Sequence, residues 1–292
     1  MDSKIIDGIG LSKQVKSEVA DSVKRLKMET GRSPGLSVVL VGDDPASAIY
    51  VRNKQRGADE VGILGETISM PKSATENEVI RVVNELNNDP NCDGILVQLP
   101  LPEHIDEGRV TLSIDPLKDV DGLHPFNAGL LAAGEPRFVP ATPGGIVQML
   151  VRTGNDPMGR HVVVLGRSNI VGRPLSNLLS LKGKGGDATV TVCHSQTKNI
   201  EELCRSAEIL IAAIGIPEYV TSDMVSDGVV AIDVGINRVS APDRKRGYKL
   251  VGDIDFLSVS QKASAITPVP GGVGPMTIAM LLSNTLLAAR LH

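Results

Sequence analysis

Aromatic residues are almost missing from this chain: its 292 residues hold no Trp, three Tyr and three Phe. The core must therefore be aliphatic, and an aromatic on a functional turn gains weight. Cysteine is scarce too. Cys92, Cys193 and Cys204 are odd in number, far apart and without a C-x-x-C pair. That argues against a disulfide framework or a zinc site and fits a reducing, cytoplasmic setting. The five histidines form no metal-ligand pattern, so no metal is expected. Positive charge is not in excess: a net charge of −4 argues against a nucleic-acid partner. No apolar run has membrane length. Residues 276–291 are the most apolar stretch, but Ser283, Asn284 and Thr285 interrupt it, and it is shorter than the ~20 residues a span needs. It reads as a buried C-terminal helix. Residues 1–10 carry Asp2 and Asp7 and no apolar core, so no signal peptide is expected.

What the chain does contain is apolar runs of strand length alternating with helical periodicity. Leu11, Val15, Val19, Val23 and Leu26 recur at helical spacing, and residues 36–41 form a β-branched strand run. A helix follows Pro45, and residues 66–70 suggest another strand. Thr75 and Glu78 make a capping box that opens a helix through Leu86, and 94–99 is the next buried strand. Residues 115–145 are rich in Pro and Gly. After a helix over 144–152 the alternation restarts, with strands at 161–165, 188–193, 208–213 and 229–234 and helices at 171–182 and 199–206. The pattern predicts an α/β protein with parallel sheets in two domains. Residues 1–120 with 270–292 form a three-layer α/β substrate domain, and 141–269 a Rossmann-like domain. Residues 121–140 connect them, and the last helix packs back on the first domain.

The first turn of the second domain is the most informative stretch. The strand His161–Leu165 ends at Gly166, and Arg167-Ser168-Asn169-Ile170-Val171 leads to Gly172 and a helix. That arrangement brings backbone N–H groups and a helix N-terminus to a phosphate. Its glycines depart from G-x-G-x-x-G: Ser168 takes the middle place and Gly172 comes one residue late. The next strand runs into His194-Ser195-Gln196-Thr197-Lys198 with no carboxylate at its tip. A carboxylate there would hold a ribose 2′-hydroxyl and repel a 2′-phosphate. Ser195, together with Arg167 as a bidentate donor, favours NADP over NAD.

In the first domain Tyr50 and Lys54 sit four apart on one helix face. Tyr-x-x-x-Lys is also a short-chain dehydrogenase pair, but there it follows the nucleotide-binding half, and here it precedes it. Gln98 falls at the carboxyl end of a buried strand before Leu99-Pro100-Leu101-Pro102, where open α/β sheets bind ligands. Asp121 falls in Asp119-Val120-Asp121-Gly122, at the expected mouth between the domains. Any of these could be an ordinary helix face or turn cap. Taken together they form one candidate site.

These segments, with Pro268-Val269-Pro270-Gly271-Gly272-Val273-Gly274-Pro275-Met276-Thr277, occur in order along nearly the whole chain. In this the sequence resembles the bifunctional methylenetetrahydrofolate dehydrogenase/methenyltetrahydrofolate cyclohydrolase family. The resemblance implies NADP-dependent oxidation of 5,10-methylenetetrahydrofolate, then hydrolysis to 10-formyltetrahydrofolate, in one-carbon metabolism and purine biosynthesis. It also implies a cytoplasmic homodimer. On the family's pattern Lys54 is the catalytic lysine, held by Gln98, with Asp121 on the pterin and Tyr50 facing the folate's aromatic parts. Ser47, Val97, Leu99, Pro270, Gly271 and Gly274 fall among the substrate positions, with a helix cap the alternative for Ser47 and a tight turn for the glycines. Gly166, Arg167, Ser168, Ser195 and Ile236 fall among the cofactor positions, Ile236 at the nicotinamide end. Two alternatives remain: another NADP dehydrogenase of shikimate-dehydrogenase-like layout, and a catalytically silent folate- or nucleotide-binding protein.

Overall fold

The computed structural model describes residues 4–242 and 247–291. Residues 1–3 of the N-terminal stretch expected not to be a signal peptide lie outside the described residues. The first half of the chain gives β1 (Lys4–Ile5), α1 (Gly8–Thr30), β2 (Gly35–Val41), α2 (Pro45–Val61), β3 (Leu64–Met70), α3 (Glu76–Asn88), β4 (Gly94–Val97), α4 (Glu107–Ser113) and α5 (Pro125–Ala132). There follow α6 (Ala141–Arg152), β5 (His161–Leu165), α7 (Gly172–Ser180), β6 (Thr189–Cys193), α8 (Ile200–Arg205) and β7 (Ile209–Ala212). The remainder gives β8 (Val230–Asp233), β9 (Asn237–Ser240), β10 (Tyr248–Val251), α9 (Phe256–Val259), β11 (Ala265–Ile266) and α10 (Val273–Leu291). Among the described residues no helix is long and apolar enough to cross a membrane, and no group of three or more His, Cys, Asp or Glu could hold a metal ion.

The chain folds as two compact units, one of residues up to Ser12 with Thr142–Thr277, the other of Lys13–Ala141 with residues from Ile278 onward. This division differs from the one expected from sequence in three places. The N-terminal strand β1 pairs in parallel with β11, Lys4 opposite Ala265, so it joins the unit of the second sheet. Residues 121–140, expected as a connection, group with the Lys13–Ala141 unit. Asn284 of α10 ties them in by donating to Val120 O at 2.8 Å and Val139 O at 2.9 Å. Residues 270–277 belong with the second sheet, and only the later part of α10 belongs with the first.

The Lys13–Ala141 unit is built on a three-stranded parallel sheet in the order β3-β2-β4. The central strand β2 is buried almost throughout, because parallel strands are covered on both faces. Val39 and Val41 pack in one cluster with Val79, Val83 and Leu86 of α3, Ile95 and Val97 of β4 and Val110 of α4. The helical stripe of α1 is inside as its spacing requires: Val15, Val19, Val23 and Leu26 are all buried. Thr75 and Glu78 form the expected capping box at the start of α3.

Just before β2, Arg32 donates to both oxygens of Asp93 at 2.7 Å, and Gly35 N donates to the same carboxylate at 2.8 Å. Asp93 is 1% exposed, whereas the Arg32 side chain is 36% exposed. Removing one partner of a buried pair is costly, and the solvent reaching Arg32 reduces that cost. Asp93→Asn should therefore lower stability by about 2 kcal/mol. The check is the urea midpoint at unchanged slope.

The other unit carries a six-stranded, all-parallel sheet in the order β1-β11-β8-β7-β5-β6. Strands β5, β7 and β8 are central and buried, as expected of largely aliphatic strands covered on both faces. Strand β6 is an edge, and β9 pairs antiparallel with β10 as a separate ribbon.

Candidate active site

Helix α2 starts at Asp44, whose carboxylate accepts from Ser47 N at 2.7 Å, with Pro45 in the first turn. Ser47 is thus capped rather than the cap. It is buried, and one turn further on Tyr50 is 37% exposed. Lys54 follows a turn later and is only 8% exposed.

The Lys54 ammonium donates to Gln98 Oε1 at 2.9 Å. Gln98 follows β4 directly, and its backbone N–H extends the ladder to Val39 O at 2.9 Å. Its own Nε2 donates to Leu99 O at 2.7 Å, which turns the amide so that its oxygen faces Lys54. The side chain of Val97 lies in the apolar cluster behind β4, and Leu99 packs against it.

The segment bearing Asp121 rides on the same strand. Ile95 N donates to Lys118 O at 2.7 Å, and Ile95 pairs with Asp119 as an isolated parallel bridge. Gly94 allows this approach, since a Cβ there would lie 2.7 Å from Val120 Cγ1. Asp119, 1% exposed, accepts from Leu123 N at 3.2 Å, His124 N at 2.8 Å and Asn127 Nδ2 at 2.8 Å, which fixes the turn around Asp121.

Burial lowers the Lys54 pKa below the ordinary lysine range, and the charge of Asp121 opposes part of that shift. Burial raises the Asp121 pKa, countered by Lys54 and reinforced by Asp119. A buried amine of lowered basicity, held by a neutral acceptor beside a carboxylate, has the make-up of a candidate general base.

In the other unit β5 ends at Gly166, which has φ +117° and donates to Cys193 O at 2.8 Å. A side chain at Gly166 would meet Ala213 O at 2.2 Å, and one at Gly172 would meet Gly166 O at 2.2 Å. Strand, turn and α7 therefore approach more closely than any residue but glycine allows. Ser168 Oγ accepts from Val171 N at 3.2 Å, closing the turn onto the helix start. Arg167 is exposed.

Strands β5 and β6 are neighbours with Leu165 opposite Cys193, so the 166–168 and 194–197 turns leave adjacent strand ends. Thr197 N donates to His194 O at 2.8 Å, and Ser195 is exposed on that turn. These residues fit an NADP: a close-packed phosphate turn, an exposed guanidinium, and hydroxyls at a strand tip without a carboxylate. Ile236, 43% exposed, lies beyond β8. Gly274 is beside it, since a Cβ there would stand 3.7 Å from Ile236 Cδ1. Pro270 and Gly271 (φ +108°) lie in the loop before α10, with Gly271 next to Ile9.

The structure thus gathers Ser47, Tyr50, Lys54, Val97, Gln98, Leu99 and Asp121 in one unit. Gly166, Arg167, Ser168, Ser195, Ile236, Pro270, Gly271 and Gly274 are in the other. Sequence reasoning gave no role to four buried acids, Asp93, Asp119, Asp233 and Asp253. Burial pushes the Asp233 carboxyl up to about 7. The available signal was a glycine within two residues of each of the last two, Gly235 and Gly252.

Residues 6–121 match the model of the tetrahydrofolate dehydrogenase/cyclohydrolase catalytic domain, and residues 140–292 that of its NAD(P)-binding domain. The bifunctional protein FolD of Chlorobium phaeobacteroides is 53% identical over 284 residues, 97% of this chain and 95% of that protein. The crystal structure of the bifunctional enzyme FolD from Campylobacter jejuni is 44% identical and superposes with a TM-score of 0.93 over 99% of both chains. The Trypanosoma brucei FolD, complexed with NADP cofactor and an inhibitor, is 39% identical, with a TM-score of 0.94 over 100% of this chain and 98% of that one. The chain belongs to the tetrahydrofolate dehydrogenase/cyclohydrolase family.

Proposed function

We infer that this protein oxidises 5,10-methylenetetrahydrofolate with NADP and hydrolyses the methenyl product to 10-formyltetrahydrofolate. It is an oxidoreductase and a hydrolase in one chain. The observation that carries the reading is the buried Lys54 ammonium held by the neutral amide of Gln98 and coupled to Asp121. NADP bound on the β5 and β6 strand ends supplies the two-electron acceptor.

The protein's own groups do the rest. Asp121 accepts paired hydrogen bonds from the 2-amino-pyrimidinone edge of the pterin, and Tyr50 offers its ring face to the folate. Oxidation needs chiefly alignment of the two reacting carbons. For hydrolysis, neutral Lys54 takes a proton from the water that adds to the methenyl carbon. The lysine then returns that proton to N5 as the bond from the carbon to N5 breaks, and the adduct's hydroxyl gives up its remaining proton to solvent as the formyl C=O forms. A charged ammonium would be repelled by the methenyl cation, so the lowered Lys54 pKa serves this step.

The test is a paired assay. Methylenetetrahydrofolate is mixed with NADP or with NAD, NADPH absorbance reports oxidation, and the decay of methenyl absorbance reports hydrolysis. Both steps should run, with NADP preferred. Folate binding without either step would favour a silent binding protein instead. The cofactor preference has its own check. Ser195→Asp places a like charge against a 2′-phosphate, a penalty of several kcal/mol, so the KM for NADP should rise about a hundredfold and that for NAD much less. Equal losses would refute the assignment of Ser195. A homodimer in the cytoplasm completes the reading, and sedimentation equilibrium measures the first of these.

A further inference from the structure

Two acids at the carboxyl end of the six-stranded sheet have no part in the chemistry above. Asp253 is fully buried and Asp233 is 3% exposed. Asp253 Oδ2 accepts from Ile214 N at 2.7 Å and Gly215 N at 2.9 Å, the loop just beyond β7. Its Oδ1 accepts from Asn237 Nδ2 at 2.9 Å, next to Ile236. Asp233, the last residue of β8, accepts from Gly235 N at 3.0 Å and from Asp253 N and Ile254 N at 2.9 Å each. The packing leaves no slack. A Cβ on Gly235 would lie 2.1 Å from Asp253 Oδ1, and one on Gly252 would lie 1.8 Å from Asp233 Oδ2.

The two segments Asp253 grips are the ones that border the cofactor positions. The loop beyond β7 begins at Ala213, whose carbonyl oxygen sits against Gly166 of the phosphate turn. Asn237 immediately follows Ile236. We propose that Asp253 is a positioning residue for the dinucleotide, setting the phosphate turn and the Ile236 segment at a fixed separation through its hydrogen bonds to Ile214, Gly215 and Asn237. This rests on the NADP reading of the strand ends. A carboxylate meets all three donors at once because both of its oxygens accept. In an Asn side chain the NH2 group would either face the two loop N–H groups or face Asn237 and oblige that amide to turn over, so the grip on one segment or the other is disturbed.

The test compares wild type with Asp253→Asn and Asn237→Ala, the latter removing only the Oδ1 bond. NADPH is titrated by its own fluorescence, KM is measured for NADP and for methylenetetrahydrofolate, and methenyl hydrolysis is followed without NADP. For Asp253→Asn the Kd for NADPH and the KM for NADP should rise about tenfold to a hundredfold, and for Asn237→Ala about threefold to tenfold. The folate KM and the hydrolysis rate should hold. Unchanged NADPH binding in both variants overturns the proposal, as does an equal loss of oxidation and hydrolysis, which would mark a purely structural role. If Asp253→Asn fails to fold, Asn237→Ala decides on the same readings. A wild-type protein that does not bind NADPH overturns the cofactor reading itself, and this proposal with it. Wild type that binds while the variants bind equally well overturns the proposal alone.

Discussion

Lys54→Met is expected to abolish methenyl hydrolysis, a fall of about 10²- to 10⁴-fold, while oxidation of methylenetetrahydrofolate survives in part. Methionine fills the space of the lysine stem but can neither accept nor give a proton. Only the hydrolytic step, in the mechanism above, needs a base. Because burial lowers the Lys54 pKa, hydrolysis should rise with pH and level off below the ordinary lysine range. The neutral acceptor is part of this. Gln98→Glu would set a carboxylate 2.9 Å from the ammonium, favour its charged form and move the midpoint of that profile upward. The rate at neutral pH should fall accordingly. Stopped-flow decay of methenyl absorbance from pH 6 to 10 measures both variants. Hydrolysis at the wild-type rate in Lys54→Met would remove its role, and an unmoved profile in Gln98→Glu would remove that of Gln98.

The parts of this molecule that can be read from its sequence are those whose signal is local. Helix α1 shows its Val15-Val19-Val23 stripe, α3 its capping box, and β5, β7 and β8 their apolar runs. Helix α5 escaped because the Pro/Gly content of 115–145 suggested loop. Yet Pro125 stands at the first helical position behind a His124 cap, where proline's fixed φ suits a helix. Strands β1 and β11 are two residues each, too short to carry a period. The expected strand over 94–99 stops at Val97. Lys54 and Gln98 could be paired in advance because a helix face and a strand end are both marked in the sequence. Asp253 could not. Its donors come from positions 214, 215 and 237, and a buried acid is written with the same letter as a solvated one.

The carboxylate of Asp121 has two separable effects, and Asp121→Asn should show both. The first is on binding. An amide presents one acceptor and one donor where the pterin edge offers donors, so a charge-assisted pair is lost and a donor–donor clash is gained. Removing one partner of such a pair costs about 2–5 kcal/mol, so the KM for methylenetetrahydrofolate should rise by about 30- to 4,000-fold in the dehydrogenase assay. The second effect is on Lys54. Asp121 is the charge that holds the lysine pKa up against burial. Without it the amine deprotonates more readily, so the pH profile of hydrolysis at saturating substrate should move down, opposite to the shift in Gln98→Glu. A mere loosening of the 119–124 turn would weaken substrate binding and leave that profile in place. A raised folate KM with an unmoved midpoint would therefore separate Asp121 from Lys54. A downward shift with an unchanged KM would take the pterin away from Asp121 and leave it only its electrostatic part.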